Sequence, residues 1–361
     1  MKMNCFSPKI WENGIQEETL CFYTDVGGTV HGGRLLHDPG RILSVISYGG
    51  TVQYEQGVDY CIDKSGISRC GNSRIPIMLA EEYCPEFKGE DQYRWLMLTD
   101  DVHYVRPYGK IRDYQIKVCY EPKSVDFGFI PRSQVFRLPK TIRRLRDRKL
   151  RIAFYGDSIT VGCDASGRND LAVDVNTLED KPERTDFPPY QPSWAQLVTD
   201  GLSTSFDADV SKANRAACGA TAAWGAENAE LLLRDYPADL YVIGFGMNHM
   251  CGSAERYRSD IFAVVSAVRS WRPDCEILLV SPMTANFDIA SFQNNNMAAY
   301  EHALEEICME NKGIALAPVH SVFREISKRK DYLSLSGNCV NHPNDYAVRI
   351  YAQTLLSCFG I

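Results

Sequence analysis

"RIAFYGDSIT" (residues 151–160) joins an apolar run to Gly-Asp-Ser, and the reading of the whole chain grows from that junction. The run Ile152–Tyr155 has no polar alternation, which fits a strand buried on both faces of a parallel sheet. Gly156 and Asp157 end the run, so Ser158 stands where a strand gives way to a helix. Gly-Asp-Ser arises by chance in roughly one chain of this length in ten. Alone, the tripeptide leaves Ser158 open between a nucleophile and a helix N-cap.

Downstream, the same pattern repeats. "DLYVIGFGMN" (239–248), "EILLVSP" (276–282) and "GIALAPV" (313–319) read as further buried strands, and "ADVSKANRA" (208–216) as a weaker one, second in the series. Amphipathic stretches separate them: "SWAQLVTDGLSTSF" (193–206), "AAWGAENAELLLRDY" (222–236), "AERYRSDIFAVVSAVRSWR" (254–272) and "MAAYEHALEEICMEN" (297–311), with "DYAVRIYAQTLLSCF" (345–359) closing the chain. Alternating β and α implies right-handed crossovers and a doubly wound, three-layer α/β sandwich with a parallel sheet. Residues 164–192, polar and Pro-containing, fit no element; a connection this long in a compact domain is usually functional or disordered.

Upstream of about residue 148 the character changes. "RILSVISYGGTVQYEQGVDYCID" (41–63), "RWLMLTD" (94–100) and "DYQIKVCYEP" (113–122) are short β-rich runs punctuated by Gly, Asp, Asn and Pro. They suggest an antiparallel β-sandwich over residues 1–147, ahead of an α/β domain over 148–361. "KTIRRLRDRK" (140–149), the one basic run, reads as a solvated linker face between them.

The chain has 361 residues, and its net charge of −7 argues against nucleic acid as a partner, since phosphate binding needs clustered Lys and Arg. The first residues lack an apolar signal-peptide core, and no stretch reaches the length of a membrane span. The thirteen cysteines are scattered, odd in number and never in CxxC, which fits reduced thiols and a cytoplasmic location. His and Cys show no zinc-ligand spacing, so neither a metal nor another cofactor is expected.

In open α/β sheets, sites form beyond the carboxyl ends of the strands. Four candidates fall there or at a helix start: Ser158; Gly219 in "NRAACGAT" (214–221); Asn248 in "GFGMNH" (244–249); and His342 in "NHPND" (341–345). Each has a plainer reading, as a helix cap, a turn glycine, a polar strand end and a helix-start residue. Together they suit acyl transfer. An ester carbonyl needs an activated hydroxyl (Ser158), a base within reach (His342) and donors where the oxyanion develops, namely the Ser158 and Gly219 N–H groups and the Asn248 amide.

The strings "GDSIT", "NRAACGATAAWG", "VIGFGMN" and "VNHPND" resemble the four blocks of the SGNH (GDSL-type) hydrolase superfamily, over about residues 148–361. The resemblance implies a flavodoxin-like α/β/α fold, a serine nucleophile, a histidine base, and glycine and asparagine in the oxyanion hole. "YEQGVDYCID", "SRIPIMLAEEYCP" and "VFRLPKTIRRL" are similar to a subgroup with an N-terminal, jelly-roll-like β-sandwich, an architecture resembling two-domain carbohydrate acetylesterases.

Two positions depart from the family pattern. Cys339 stands three residues before His342, where the family usually has aspartate. Asn338 is one position off, and Asp345 is placed to serve as an N-cap. The favoured expectation is therefore a Ser–His dyad with the imidazole oriented by a backbone carbonyl; an aspartate from the 164–192 connection, Asp164 or Asp170, is the alternative. His249 replaces a common aspartate and reads as a polar neighbour that transfers no proton.

The expected function is a serine esterase that removes small acyl groups, acetyl foremost, from a carbohydrate. Its expected partner is an acetylated sugar or oligosaccharide, with no membrane, and homo-oligomerisation stays open. Acyl transfer through the same acyl-enzyme is one alternative, and a catalytically weak glycan-binding protein is another. The polar connection beside Ser158 favours a polar alcohol over a lipid. In "PPYQPSW" (188–194) the aromatics suit either a sugar platform or, for Trp194, a helix core; Tyr93, Trp95, Tyr104 and Tyr108 are equally open between core and platform.

Overall fold

The computed structural model describes residues 8–168, 171–182, 185–249, 252–293 and 296–361. The run that opens the reading above lies in β1 (Lys149–Gly156), whose Ile152, Ala153, Phe154 and Tyr155 are all buried. Apolar side chains on both faces place it inside a parallel sheet. It is flanked by β2 (Asp209–Asn214) on one side and by β3 (Leu240–Gly244), β4 (Glu276–Val280) and β5 (Ile314–Ala317) on the other, in the order β2-β1-β3-β4-β5. β2 is an edge strand with partly exposed side chains, which is why its sequence signal is weak.

The helices Trp194–Phe206, Ala222–Leu233, Ala254–Trp271, Met297–Glu310 and Asp345–Cys358 fall where the apolar periodicity puts them. The first packs against the last, and the middle three pack in series, completing the flavodoxin-like α/β/α sandwich. Because β2 and β3 lie on opposite sides of β1, the chain leaves β1 in one direction and returns in the other. A crevice opens at such a switch point, beyond the carboxyl end of β1. Ser158 lies there.

Before β1, the chain is antiparallel β structure. Gln16–Cys21, Gln115–Pro122 and Pro39–Ser47 form a three-stranded sheet in that order, joined by the pairs Tyr23–Thr24 with Val30–His31 and Tyr60–Ile62 with Ile67–Arg69. Leu20, Val45, Val118 and Tyr120 make the core beneath it. "RWLMLTD" is not the expected strand: Asp91–Leu96 is a 3-10 helix, and Met97 and Leu98 make only single bridges, to Tyr104 and Ile289. Leu96 is buried while Trp95 is exposed, so a lone apolar anchor replaces strand alternation.

The basic run does present a solvated face, carried on a packed helix. Pro139–Arg146 is a helix with Pro at its first turn, and its Ile142 and Leu145, three residues apart on one face, are buried. The charged face carries the arginines outward, where Arg144 pairs with Asp239 at 3.0 Å and Lys140 with Asp274 at 2.9 Å.

The connection 164–192 also has structure. Leu171–Val173 pairs with Asp180–Pro182, and Gly167–Arg168 with Thr185–Asp186, as a two-stranded antiparallel ribbon. Val173 N–H donates to the Ala216 carbonyl (2.9 Å), which fastens the ribbon beside the loop that follows β2. Arg112 stacks on Phe187 with its guanidinium 3.5 Å from the ring centroid, docking the base of the ribbon on the N-terminal region.

Candidate active site

Ser158 begins a one-turn helix, Ser158–Val161, and is 5% exposed. It is not the N-cap. Asp157 caps the turn, its Oδ1 accepting from Ile159 N–H at 3.0 Å. The serine hydroxyl is thereby released from a capping role and meets His342 Nε2 at 2.9 Å. On the other side of the ring, His342 Nδ1 lies 2.6 Å from Asp164 Oδ2. A carboxylate there fixes the tautomer in which Nε2 is the acceptor and can stabilise the imidazolium formed on proton transfer.

This overturns the expectation of a backbone-oriented dyad. The carboxylate comes from the start of the 164–192 connection, six residues after the serine, because Gly162 (φ +90°) and Asp164 itself (φ +64°) turn the chain back toward its own nucleophile turn. Asp170, the other aspartate considered, lies outside the described residues. A Ser-Gly-Asp spacing is no family block, so the only sequence clue was the helix-stopping Gly162 with an acid two residues later.

The residues around His342 have other duties. Asn338 Oδ1 accepts from the N–H groups of Val340, Asn341 and His342 at 2.9–3.0 Å, clamping the loop that carries the imidazole. Cys339 adopts a left-handed backbone (φ +69°), and burial pushes its thiol well above the ordinary value. Its carbonyl accepts from Asn286 Nδ2 at 2.8 Å. Asp345 is not the N-cap: Asn344 is, accepting from Ala347 N–H, while buried Asp345 accepts from Ser166 N–H at 2.9 Å. The N-terminal region buttresses this loop directly. Gln115 Nε2 donates to the Leu333 and Ser336 carbonyls (2.7 and 2.8 Å), and Tyr108 N–H donates to the Asn338 carbonyl (3.1 Å).

Gly219 and Asn248 are stitched to the same strand end. Ala217 N–H donates to Gly156 O at 3.0 Å, and Met247 N–H reaches Asp157 Oδ2 at 3.3 Å. Asn248 Nδ2 donates one proton to the Ala220 carbonyl at 2.8 Å, tying it to the loop of Gly219. A primary amide carries two N–H donors, so the second is available to a ligand oxygen. Gly219 has φ +78°, and a β-carbon there would meet nothing within 4 Å. Glycine adopts that backbone conformation without the strain a side chain brings, and the bare peptide faces open space.

Burial pushes the Asp157 carboxyl up to about 6, against the N–H groups of Ile159 and Met247 and the nearby His342, which pull it down. His249 lies edge-on to Tyr257 and Tyr300, with centroids 5.4 and 6.3 Å away, and burial lowers its pKa. A neutral imidazole follows.

Trp194 is 1% exposed, stacks on Tyr351 and donates Nε1–H to the Ile159 carbonyl at 2.7 Å. It belongs to the core beneath the serine turn and offers no face to a sugar. In the same string Tyr190 is 56% exposed. Tyr104 is core, Tyr93 stacks on it half-buried, and Trp95 is open to solvent.

The model of the GDSL-like Lipase/Acylhydrolase family matches residues 154–350, more than half of the chain. A search of curated proteins finds no match. Among solved structures, the chain is similar to a two-domain esterase active on acetylated mannans, co-crystallised with mannopentaose (20% identity, TM-score 0.46, 63% of this chain and 53% of that one). It thus spans about half the length of that esterase. It is also similar to the acetyl xylan esterase AlAXEase (18%, TM-score 0.43, 58% and 98%) and to a catalytic mutant of an acetylxylan esterase from Geobacillus stearothermophilus (17%, TM-score 0.43, 59% and 94%). Ser158, Gly219, Asn248 and His342 all lie inside the matched segment, and the chain belongs to the GDSL-like lipase/acylhydrolase family.

Proposed function

We propose that the protein removes small acyl groups, acetyl foremost, from a carbohydrate through an acyl-enzyme on Ser158. His342 takes the serine proton as the hydroxyl attacks the ester carbonyl, then returns it to the leaving sugar oxygen. Asp164 orients the imidazole and balances its transient charge. The carbonyl oxygen, now an oxyanion, is received by the N–H groups of Ser158 and Gly219 and the second Asn248 N–H. Water, deprotonated by His342, releases the acid in the second half.

The observation that carries the reading is the unbroken chain Ser158 Oγ–His342 Nε2–Asp164 Oδ2, at 2.9 and 2.6 Å. A polar ribbon starting immediately after the serine turn, with Tyr190 exposed beside Gly167 at its base, favours a hydroxyl-rich alcohol over a lipid. The resemblance to carbohydrate acetylesterases supports acetyl as the acyl group.

Turnover on acetylated mono- and oligosaccharides, beside p-nitrophenyl esters of rising chain length, tests it. Activity should be highest on acetyl, fall with chain length, and vanish in Ser158→Ala with thermal unfolding unchanged. A preference for long acyl chains, or a Ser158→Ala variant that keeps more than a few per cent of activity, would overturn it.

A further inference from the structure

Two thiols lie between the loops that carry the catalytic groups. Cys163 N–H donates to the Ser158 carbonyl at 3.0 Å, and the next residue is Asp164. Cys218 directly precedes Gly219. Their sulfurs are 3.4 Å apart, within a small apolar cluster with Val161, Ala172 and Ala216. Neither thiol takes part in the Ser158–His342–Asp164 chain. Cys163 is buried and Cys218 half-buried, so an oxidant in solution reaches Cys218 first.

We propose that Cys163 and Cys218 are a site of reversible oxidative modification, closing into a disulfide that switches off ester hydrolysis. The oxidant class is a low-molecular-weight disulfide such as oxidised glutathione. Cys218 loses its proton to solvent, and its thiolate attacks one glutathione sulfur, expelling the other as a thiolate. The Cys163 thiolate then attacks the Cys218 sulfur of the mixed disulfide and expels the second glutathione. The protein gives up two electrons and two protons, and one oxidised glutathione becomes two reduced molecules.

Closing the bond brings the sulfurs to about 2.05 Å. The loops bearing Asp164 and Gly219 must absorb that movement of more than an ångström. Misplacing a catalytic group by about 1 Å can cost roughly 10²-fold in rate. The loss of activity rests on the catalytic reading above; formation of the bond does not.

The full-length protein, equilibrated in glutathione buffers of rising oxidation, tests both parts. Peptide mapping by mass spectrometry reads the bond, and p-nitrophenyl acetate turnover reads its effect. We expect a linked Cys163–Cys218 peptide, and an activity at least tenfold lower in step with it that dithiothreitol restores. Cys61 and Cys70, whose sulfurs are 3.3 Å apart on the surface hairpin, form a second thiol contact. A Cys61→Ser variant should therefore respond like the wild type. Cys163→Ser should trap Cys218 as a glutathione adduct, and Cys218→Ser should form no linked peptide. A folded protein whose two thiols stay unlinked in fully oxidised buffer overturns the site. A linked protein with unchanged turnover overturns the switch. Inactivity of the reduced protein would strike the catalytic reading instead, and mapping would still decide the disulfide.

Discussion

Gly337 lies so close to Asp164 that a β-carbon at 337 would stand 2.4 Å from the aspartate's own β-carbon. The loop of His342 and the loop of Asp164 thus meet backbone against side chain, and only a glycine lets them. Gly337 N–H also donates to the His342 carbonyl at 2.8 Å, so the same residue touches both partners of the hydrogen-bonded pair.

Gly337→Ala should therefore push Asp164 away from the imidazole. We expect kcat on p-nitrophenyl acetate to fall by about 10²-fold or more, as for an ångström-scale misplacement, with KM changed much less. Steady-state kinetics beside thermal unfolding checks this. An active Gly337→Ala enzyme with wild-type kcat would mean that the contact has no part in holding the carboxylate.

Asn248→Ala should lower kcat by roughly 10²–10³-fold with a smaller effect on KM, because its amide bonds most strongly to charge present only in the transition state. The variant also loses the tie to the Ala220 carbonyl, so the Gly219 loop is loosened as well. Loss confined to KM would instead assign Asn248 to ground-state binding.

Asp157 gives a pH-dependent test. Its carboxyl, ordinarily near 3.8, is pushed up to about 6 in the fold by burial. A carboxyl that holds its proton more tightly folded than unfolded favours the fold while protonated. That contribution is complete below about pH 3.8 and is lost as pH rises through about 6. Asp157→Asn cannot titrate. From pH 4 to 7 the wild type should lose stability relative to this variant by on the order of 2 kcal/mol, at about 1.4 kcal/mol per pKa unit. Denaturant unfolding at several pH values measures the gap; one that stays constant or moves oppositely contradicts the ionisation assigned to Asp157.

Most of the α/β fold was legible because each strand of the sheet interior is a short apolar run and each helix keeps one apolar face. The N-terminal region was read less well. Its strands are short, and Leu96 alone looks like strand alternation until its neighbours prove to be a 3-10 turn. For the site, Ser158, Gly219, Asn248 and His342 sit in strings specific enough to be read one by one. Asp164 is different. Its function depends on Gly162, on its own left-handed backbone and on the missing side chain of Gly337, which is far away in sequence. An acid displaced from its usual place leaves no periodicity or spacing behind, so Cys339 pointed toward a dyad. Trp194 failed as a sugar platform for a similar reason: the indole of a helix start looks the same whether it faces solvent or, as here, Tyr351.

The most direct measurement is the kcat of Asp164→Asn on p-nitrophenyl acetate, beside Asp345→Asn as a control carboxylate that touches neither Ser158 nor His342. An amide at 164 can present the wrong group to Nδ1 and cannot balance an imidazolium. In the well-studied serine proteases the same exchange costs about 10⁴ in kcat. We predict a fall of at least about 10³-fold for Asp164→Asn, with KM and thermal unfolding little changed, and near-normal kcat for any Asp345→Asn protein that folds. An Asp164→Asn enzyme within tenfold of the wild type would contradict the Ser158–His342–Asp164 chain and return the histidine to a dyad.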